Sequence, residues 1–153
     1  MKVQIVKQPE LRLAAVRHVG SYMRITEAFQ RLNDLVTAAG LSKPDTLLVG
    51  VYHDDPSVTP EDRLRSDAGI TIPPRTKLPP GLKELVVPPG RYAHTTHTGP
   101  YSGLGQVWNR LRSEWVPRNG ETLGNGLSYE IYRNTPVNAK PEALVTDVYL
   151  SLV

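Results

Sequence analysis

The sequence predicts an α+β fold of two similar β-α-β-β halves, which build an antiparallel sheet with two helices on one face. Three observations lead to this prediction: an internal repeat, short β-rich segments on either side of two helical segments, and frequent turns. The 153 residues are a common length for one domain, and fourteen Pro and twelve Gly mark the turns. We therefore expect one domain over residues 1–153, with halves near 1–73 and 81–153 and a linker at 74–80.

The repeat is the clearest of these observations. Residues 12–22 read RLAAVRHVGSY and residues 91–101 read RYAHTTHTGPY. At an offset of 79 positions the identical residues are Arg12 and Arg91, Ala14 and Ala93, His18 and His97, Gly20 and Gly99, and Tyr22 and Tyr101. One position of slippage later, Tyr52 aligns with Tyr132 and Asp67 with Asp147. The period is too long for a solenoid unit, so it predicts two pseudo-symmetric halves that leave a ligand groove on or between them.

Each half is expected to contain two strands, a helix and two further strands. Apolar residues recur at helical spacing in the first helix, Ser21 can cap its start, and Gly40 marks its end. The predicted elements of the first half are strands Val3–Lys7 and Leu11–Val19, a helix over Tyr22–Ala39, and strands Thr46–His53 and Ala68–Ile72. Those of the second half are strands Leu82–Val87 and Arg91–Thr98, a helix over Ser102–Val116, and strands Leu127–Arg133 and Leu144–Leu152.

Composition excludes several classes of protein and site. The chain has no Cys, so it has no disulfide, thiolate metal site or Cys nucleophile, which suits a reducing cytoplasm. It has no signal-peptide pattern and no apolar run long enough to cross a membrane. The net charge of +3 is scattered without a basic block. We expect a soluble cytoplasmic protein with no membrane partner and no specific nucleic-acid partner.

Metal ions and cofactors are not expected either. His94 and His97 are three residues apart on a strand, hence on opposite faces, and no third metal ligand is evident. No phosphate-binding loop, dinucleotide fingerprint or Ser nucleophile elbow is present.

Glu130 is the first candidate for a functional residue. Strand alternation in LSYEIYRN places Ser128, Glu130 and Tyr132 on one face, and Tyr129 and Ile131 on the other. If Ile131 faces the helices, Glu130 faces the open side of the sheet. Spacing alone favours a solvated surface carboxylate; the alternative is a carboxylate at the floor of an aromatic groove, where it attracts an organic cation or acts as a general base.

Aromatic residues could complete such a site, because aromatic faces beside a carboxylate can hold a cation. For Trp108 and its aligned partner Phe29 the residue type and helical spacing favour a place in the core between helix and sheet. The candidate ligand-binding residues are Glu130, Tyr132, Tyr101, Trp108, Tyr149, Tyr52 and Tyr22. The residue aligned with Glu130 is Gly50, so the carboxylate occurs in one half alone.

Several segments together resemble a known family. These are VGVYHDDPSVTPEDRLRSDAGITI at Val49–Ile72, HTGPYSGL at His97–Leu104, LSYEIYRNTP at Leu127–Pro136, and the final TDVYLSLV. In this order, over essentially the whole chain, they resemble the GyrI-like domains, which include the DNA gyrase inhibitory protein and the effector-binding domains of AraC-type regulators. The resemblance implies a duplicated β-α-β-β fold with a central groove, in which Glu130 matches the family's buried ligand-binding glutamate.

The resemblance also implies what the ligands and activities are. Family members bind bulky, often cationic, hydrophobic compounds; one branch binds DNA gyrase and shields it from toxins, and another hydrolyses cyclopropane-bearing DNA alkylators with the glutamate and a tyrosine. The chain begins at its first strand, so we expect a stand-alone domain without a DNA-reading module. Our leading hypothesis is a binding protein for aromatic or cationic compounds. The alternatives are a hydrolase that uses Glu130 with Tyr132, and a protein-interaction module that acts on gyrase.

Overall fold

The computed structural model describes residues 1–153, and the chain divides into two compact units. We call Leu11–Val87 the first unit, and Met1–Glu10 together with Pro88–Val153 the second unit. The strands are β1 (Gln4–Gln8), β2 (Leu11–Val19), β3 (Leu48–Tyr52), β4 (Arg65–Thr71), β5 (Lys83–Val87), β6 (Gly90–Thr98), β7 (Ser128–Tyr132) and β8 (Val145–Ser151). The helices are α1 (Thr26–Ala39), α2 (Leu104–Arg110) and the short α3 (Val116–Arg118), which continues α2 through a π-helical turn at Leu111–Trp115. The α+β class with antiparallel strands is confirmed.

The first unit packs α1 against one face of its strands. These strands are hydrogen-bonded in the order β3-β4-β2-β5, and all the pairs are antiparallel. The apolar cluster between sheet and helix consists of Ala14, Val16, Ile25, Ala28, Leu32, Val36, Ala68, Ile70, Ile72 and Leu82. Helical spacing predicts Ile25, Phe29, Leu32, Leu35 and Val36 on this face; Ile25, Leu32 and Val36 are buried, and Phe29 and Leu35 are partly buried. Ala28 completes the buried stripe of α1.

The C-terminal end of α1 matches the sequence prediction, whereas its N-terminal end does not. Gly40 ends it in the left-handed conformation, with φ 63°, as predicted. The start lies four residues later than Tyr22, because Ser21 caps a separate 3₁₀ turn over Tyr22–Arg24. The Ser21 hydroxyl accepts a hydrogen bond from the backbone N–H of Met23 at 3.2 Å. A capping residue thus marks a helical start, but not whether the first turn is 3₁₀ or α.

The second unit has its strands in the order β1-β6-β8-β7, again all antiparallel. Leu104, Trp108, Leu111 and Val116 form the buried side of its helical segment. Helical spacing predicts Leu104, Val107, Trp108, Leu111 and Trp115 on this side; three of them are buried, whereas Val107 and Trp115 are half-buried. The segment also contains a π-helical turn that the sequence does not indicate.

This π-helical turn gives a physical account of the slippage in the repeat. Elements before it recur 79 positions apart, as in β2 and β6, whereas elements after it recur 80 positions apart, as in β3 and β7. The buried pair Leu32 and Leu111 still follows the shorter offset, and Gly40 and Gly120, both with positive φ, follow the longer one. Leu111–Trp115 lies in this interval. Its i→i+5 bonding accommodates one extra residue within the helical segment.

The compact units differ from the expected halves 1–73 and 81–153. Strand β1 pairs with β6 and so belongs to the second unit, whereas β5 pairs with β2 and belongs to the first. The first strand of each expected half is therefore exchanged. A strand carries the same alternation whichever partner it meets, so the sequence could not distinguish the two pairings. In the linker, Leu78 packs against the core of the first unit.

No helix in the structure combines the length and the apolar composition that crossing a membrane requires.

Candidate ligand-binding site

Glu130 is a buried carboxylate held by two aromatic side chains. It lies in the middle of β7, and only 3% of it is exposed. The indole Nε1–H of Trp108 donates to its Oε1 at 2.6 Å, and the hydroxyl of Tyr132 donates to its Oε2 at 2.6 Å. Charge-assisted hydrogen bonds of this length stabilise an ionised carboxylate. The solvated surface carboxylate that spacing alone favoured is therefore excluded.

Glu130 lies on the other side of the sheet from the open side expected if Ile131 faced the helices. Because Trp108 belongs to α2, Glu130 faces the helix and not the open side. Tyr129 and Ile131 point the other way and are also buried. Alternation separates the two sets correctly, but the apolar Ile131 was the wrong guide to the helix face. The Trp108 ring packs as an apolar group and at the same time provides an N–H for the carboxylate.

Tyr101 extends this aromatic group beyond Tyr132. The two rings meet edge to face, with centroids 5.6 Å apart and planes at 72°. Tyr101 starts the 3₁₀ turn that leads into α2, directly after Gly99 with φ 136° and Pro100. Burial raises the pKa of the Tyr101 hydroxyl, and the nearby charge of Glu130 raises it further. Tyr101 therefore keeps its proton at neutral pH.

Arg112 is a member of this site that the sequence analysis missed. Its guanidinium carbon lies 5.2 Å from the centre of the Trp108 ring, which is a cation–π distance. The i,i+4 spacing from Trp108 on a helix was a sequence signal for this contact. We call Glu130, Trp108, Tyr132, Tyr101 and Arg112 the Glu130 site.

Tyr22 and Tyr52 form a matching pair in the first unit. Their rings also meet edge to face, at 4.9 Å and 72°. The Tyr22 hydroxyl donates to the carbonyl oxygen of Asp54 at 2.9 Å and accepts from the Asp54 N–H at 3.0 Å. At the position equivalent to Glu130 the strand has Gly50, which provides no side chain. The first unit therefore repeats the tyrosine pair without the carboxylate.

Tyr149 does not join the Glu130 site. It lies directly across from Tyr129, and residues in register share a face, so it is on the side opposite Glu130. There it stacks on Tyr129 at 4.9 Å and on His94 at 4.6 Å. Its inclusion among the ligand residues rested on residue type alone, and the structure does not support it.

Asp67 and Asp147, which align with each other in the repeat, are two further buried carboxylates. Asp67 accepts from His53 at 2.5 Å and from Arg17 at 3.1 Å in the first unit. Burial by itself raises the pKa of its carboxyl, but the hydrogen bonds from His53 and Arg17 outweigh this effect and lower the pKa overall. Asp147 in the second unit has the same balance, with bonds from Thr96, Arg133 and His94. Each carboxylate therefore connects its own strand to side chains on or next to the neighbouring strands.

The chain brings together no group of three or more His, Asp and Glu side chains that could hold a metal ion. The Glu130 site itself offers a buried carboxylate, two phenol hydroxyls, an indole and a guanidinium. Such a group can attract a cation, hold an aromatic ring, or exchange a proton.

Comparison with known proteins gives consistent results. Residues 1–153 match the family model described as the GyrI-like small molecule binding domain. The protein named DNA gyrase inhibitor 2 of Dickeya dadantii (strain 3937) is 30% identical over 129 residues, which are 81% of this chain and 80% of that protein. The crystal structure of the EcmrR C-terminal domain has a TM-score of 0.84 at 20% identity, covering 99% of this chain and 97% of that one. The structure of SAV2435 bound to tetraphenylphosphonium has a TM-score of 0.73 at 12% identity, covering 100% and 94%. The two structural likenesses concern the fold.

Proposed function

The chain belongs to the GyrI-like small molecule binding domain family, and from that premise we propose that it binds bulky aromatic cations at the Glu130 site. The observation that carries the proposal is the buried carboxylate between Trp108 and Tyr132. Both of these donors are neutral, and their hydrogen bonds stabilise the negatively charged form of the carboxylate. A positively charged aromatic ligand would meet that charge and the surrounding rings together.

The ligand-bound relative supports the chemical class. SAV2435 was solved with tetraphenylphosphonium, a bulky aromatic cation. Because Glu130 is only 3% exposed, a ligand must displace some of the groups that now cover the carboxylate. The contacts that it would replace are the hydrogen bonds from Trp108 and Tyr132. By binding such compounds the protein would lower their free concentration and so protect against toxic cations.

We also propose that the two units are copies of one ancestral unit, and that only one copy has a ligand site. Their equivalent order of elements, their 79- and 80-residue spacing and their matching tyrosine pairs support a duplication. Gly50 replaces the carboxylate in the first unit. Calorimetric titration with a cationic aromatic dye should therefore give one dye molecule per chain. A stoichiometry of two would contradict the assignment of the site to Glu130.

The fluorescence of Trp108 offers a direct test of where the ligand binds. The chain has two Trp residues, so a Trp115→Phe variant retains Trp108 alone as the indole reporter. Binding of a cation that does not absorb in the Trp excitation band should shift the Trp108 emission, because the hydrogen-bond partner of the indole N–H changes. A neutral analogue should give a much smaller shift. Binding of the cation by calorimetry with an unchanged Trp108 spectrum would place the ligand elsewhere.

Hydrolysis is a second candidate function, and the hydrogen bond between Tyr132 and Glu130 favours it. A carboxylate 2.6 Å from a phenol hydroxyl can accept a proton from water while the phenol orients the reacting group. An electrophilic cyclopropane substrate would test this directly. In a hydrolase, Glu130→Gln should abolish turnover and leave substrate binding largely intact, because a general base acts in the transition state.

Contact with DNA gyrase is a third candidate, favoured by the name of the Dickeya dadantii relative. A gyrase supercoiling assay with the wild-type protein and with Glu130→Gln tests it. Inhibition by both proteins would assign the gyrase contact to a surface independent of the Glu130 site. Absence of inhibition at concentrations well above that of gyrase would rule this candidate out.

A further inference from the structure

Each unit contains one fully buried hydroxyl without a hydrogen-bond partner. In the second unit it is the Oγ1 of Thr146, and in the first unit it is the Oγ of Ser66, both on residues that are 0% exposed. A buried polar group without a partner is destabilising, and most such groups in proteins are satisfied. The two residues are 80 positions apart, so they occupy equivalent positions in β8 and β4.

The position of Thr146 connects this hydroxyl to the Glu130 site. Thr146 lies directly across from Tyr132 in the β7–β8 pair, and opposite residues share a face of the sheet. Tyr132 in turn shares its face with Glu130 and donates to it at 2.6 Å. Thr146 is thus the diagonal neighbour of Glu130, at a typical separation of about 7 Å between Cα atoms. Ser66 has the same relation to Tyr52 and to Gly50.

We infer that Thr146 is a ligand-contacting residue that selects cations with an N–H group, such as protonated amines, over fully alkylated cations. This inference rests on the proposed function of the Glu130 site. A protonated amine can direct one N–H towards Glu130 and another towards the Thr146 oxygen, because a nitrogen about 2.9 Å from each of two acceptors spans the gap between diagonal neighbours. A quaternary ammonium ion has the charge but no N–H, so it leaves the Thr146 hydroxyl without a partner in the complex.

The inference predicts opposite effects of one substitution on stability and on binding. Thr146→Val keeps the β-branched shape and removes the unpaired hydroxyl, so the melting temperature should stay equal or rise by about 2–4 °C. The same variant should bind a protonated aromatic amine about tenfold more weakly, which is typical for loss of a hydrogen bond to a charged group. A residue with a purely structural role would not move stability and affinity in opposite directions.

The experiment compares an aromatic tertiary amine, protonated at neutral pH, with its N-methylated quaternary salt. Calorimetry with the wild-type protein should show a preference for the amine of about tenfold, which Thr146→Val abolishes by weakening amine binding alone. Thr146→Ser should retain the preference, because it keeps the hydroxyl. Ser66→Ala is the matched control: it removes the equivalent orphan hydroxyl of the first unit and should leave both affinities unchanged.

The outcomes separate this inference from the proposed function. If the wild-type protein binds both cations equally well, or if Thr146→Val keeps the preference for the amine, the role of Thr146 is wrong while cation binding stands. If neither cation binds the wild-type protein, the proposed function fails and the inference with it. If Thr146→Val melts at a lower temperature than the wild-type protein, the Thr146→Ser variant provides the deciding test. Loss of the preference for the amine in this variant, which keeps the hydroxyl, would overturn the inference.

Discussion

Replacing Glu130 with Gln is expected to weaken the binding of a cationic aromatic dye by about 1–3 kcal/mol, and to leave the affinity for a neutral analogue nearly unchanged. The amide keeps the shape of the side chain. Its oxygen can still accept from the Trp108 indole, and its NH₂ group can donate to the Tyr132 hydroxyl oxygen, so the fold should be retained. The change removes the negative charge, which is the property that the proposal assigns to the site. Calorimetry with both dyes measures the difference.

Glu142→Gln is the control for this experiment. Glu142 is an exposed carboxylate in the same unit, and its replacement changes the net charge by the same amount. Glu142 is exposed and does not belong to the Glu130 site, and charges in solvent are largely screened at physiological ionic strength, so this variant should bind both dyes as the wild-type protein does. Equal losses in the two variants would show a general charge effect. No change in dye binding or in turnover on Glu130→Gln would disprove the site.

Asp67→Asn is expected to lower the free energy of unfolding at neutral pH by about 3 kcal/mol. Asp67 is 0% exposed and accepts from His53 at 2.5 Å and from Arg17 at 3.1 Å, while the Lys83 ammonium lies 3.7 Å from its Oδ1. A neutral amide removes the counter-charge of Arg17 and Lys83 and replaces a buried carboxylate that His53 contacts. Urea unfolding measures the loss. Asp62→Asn, an exposed position in the same unit, should change the free energy of unfolding by less than about 0.5 kcal/mol.

The pH dependence provides a second measurement on the same variant. The pKa of Asp67 is lower in the folded than in the unfolded protein, because the hydrogen bonds from His53 and Arg17 outweigh the effect of burial. A depressed carboxyl pKa contributes stability above the unfolded value of about 3.9, and this contribution disappears as the pH falls through the folded value. The wild-type protein should therefore lose stability below about pH 4 more steeply than Asp67→Asn does. Parallel curves would mean that Asp67 does not contribute to acid lability.

Local periodicity was sufficient for the elements and for part of the site. Strands β2 and β6 follow from β-rich, partly alternating sequence, and most of the buried stripe of α1 follows from helical spacing. Alternation also placed Glu130 and Tyr132 together on one face, and the structure joins them by a hydrogen bond. These features depend on a few neighbouring residues and not on contacts with distant parts of the chain.

The pairing of strands that are distant in the chain could not be predicted from the sequence in the same way. The sequence did not reveal that β1 and β5 are exchanged between the expected halves, since each strand could pair with either candidate neighbour. It also grouped Tyr149 with Glu130, although register with Tyr129 puts it on the other face. The π-helical turn at Leu111–Trp115 is visible in the sequence as a one-residue shift in the offset of the repeat. Only the backbone hydrogen bonds of the structure show where the turn lies.

The sequence by itself thus determined the α+β class, the recurring order of elements, and the presence of a carboxylate in one half where the other has Gly50. Only the tertiary structure decided which face of β7 meets the helix, and with it that Glu130 is buried against Trp108 and that the Thr146 hydroxyl lies beside Tyr132 without a partner. The reason is physical: backbone propensity and side-chain period act over neighbouring residues, whereas burial and hydrogen-bond pairing depend on groups that are distant in the chain and meet only when strands and helix pack within a unit.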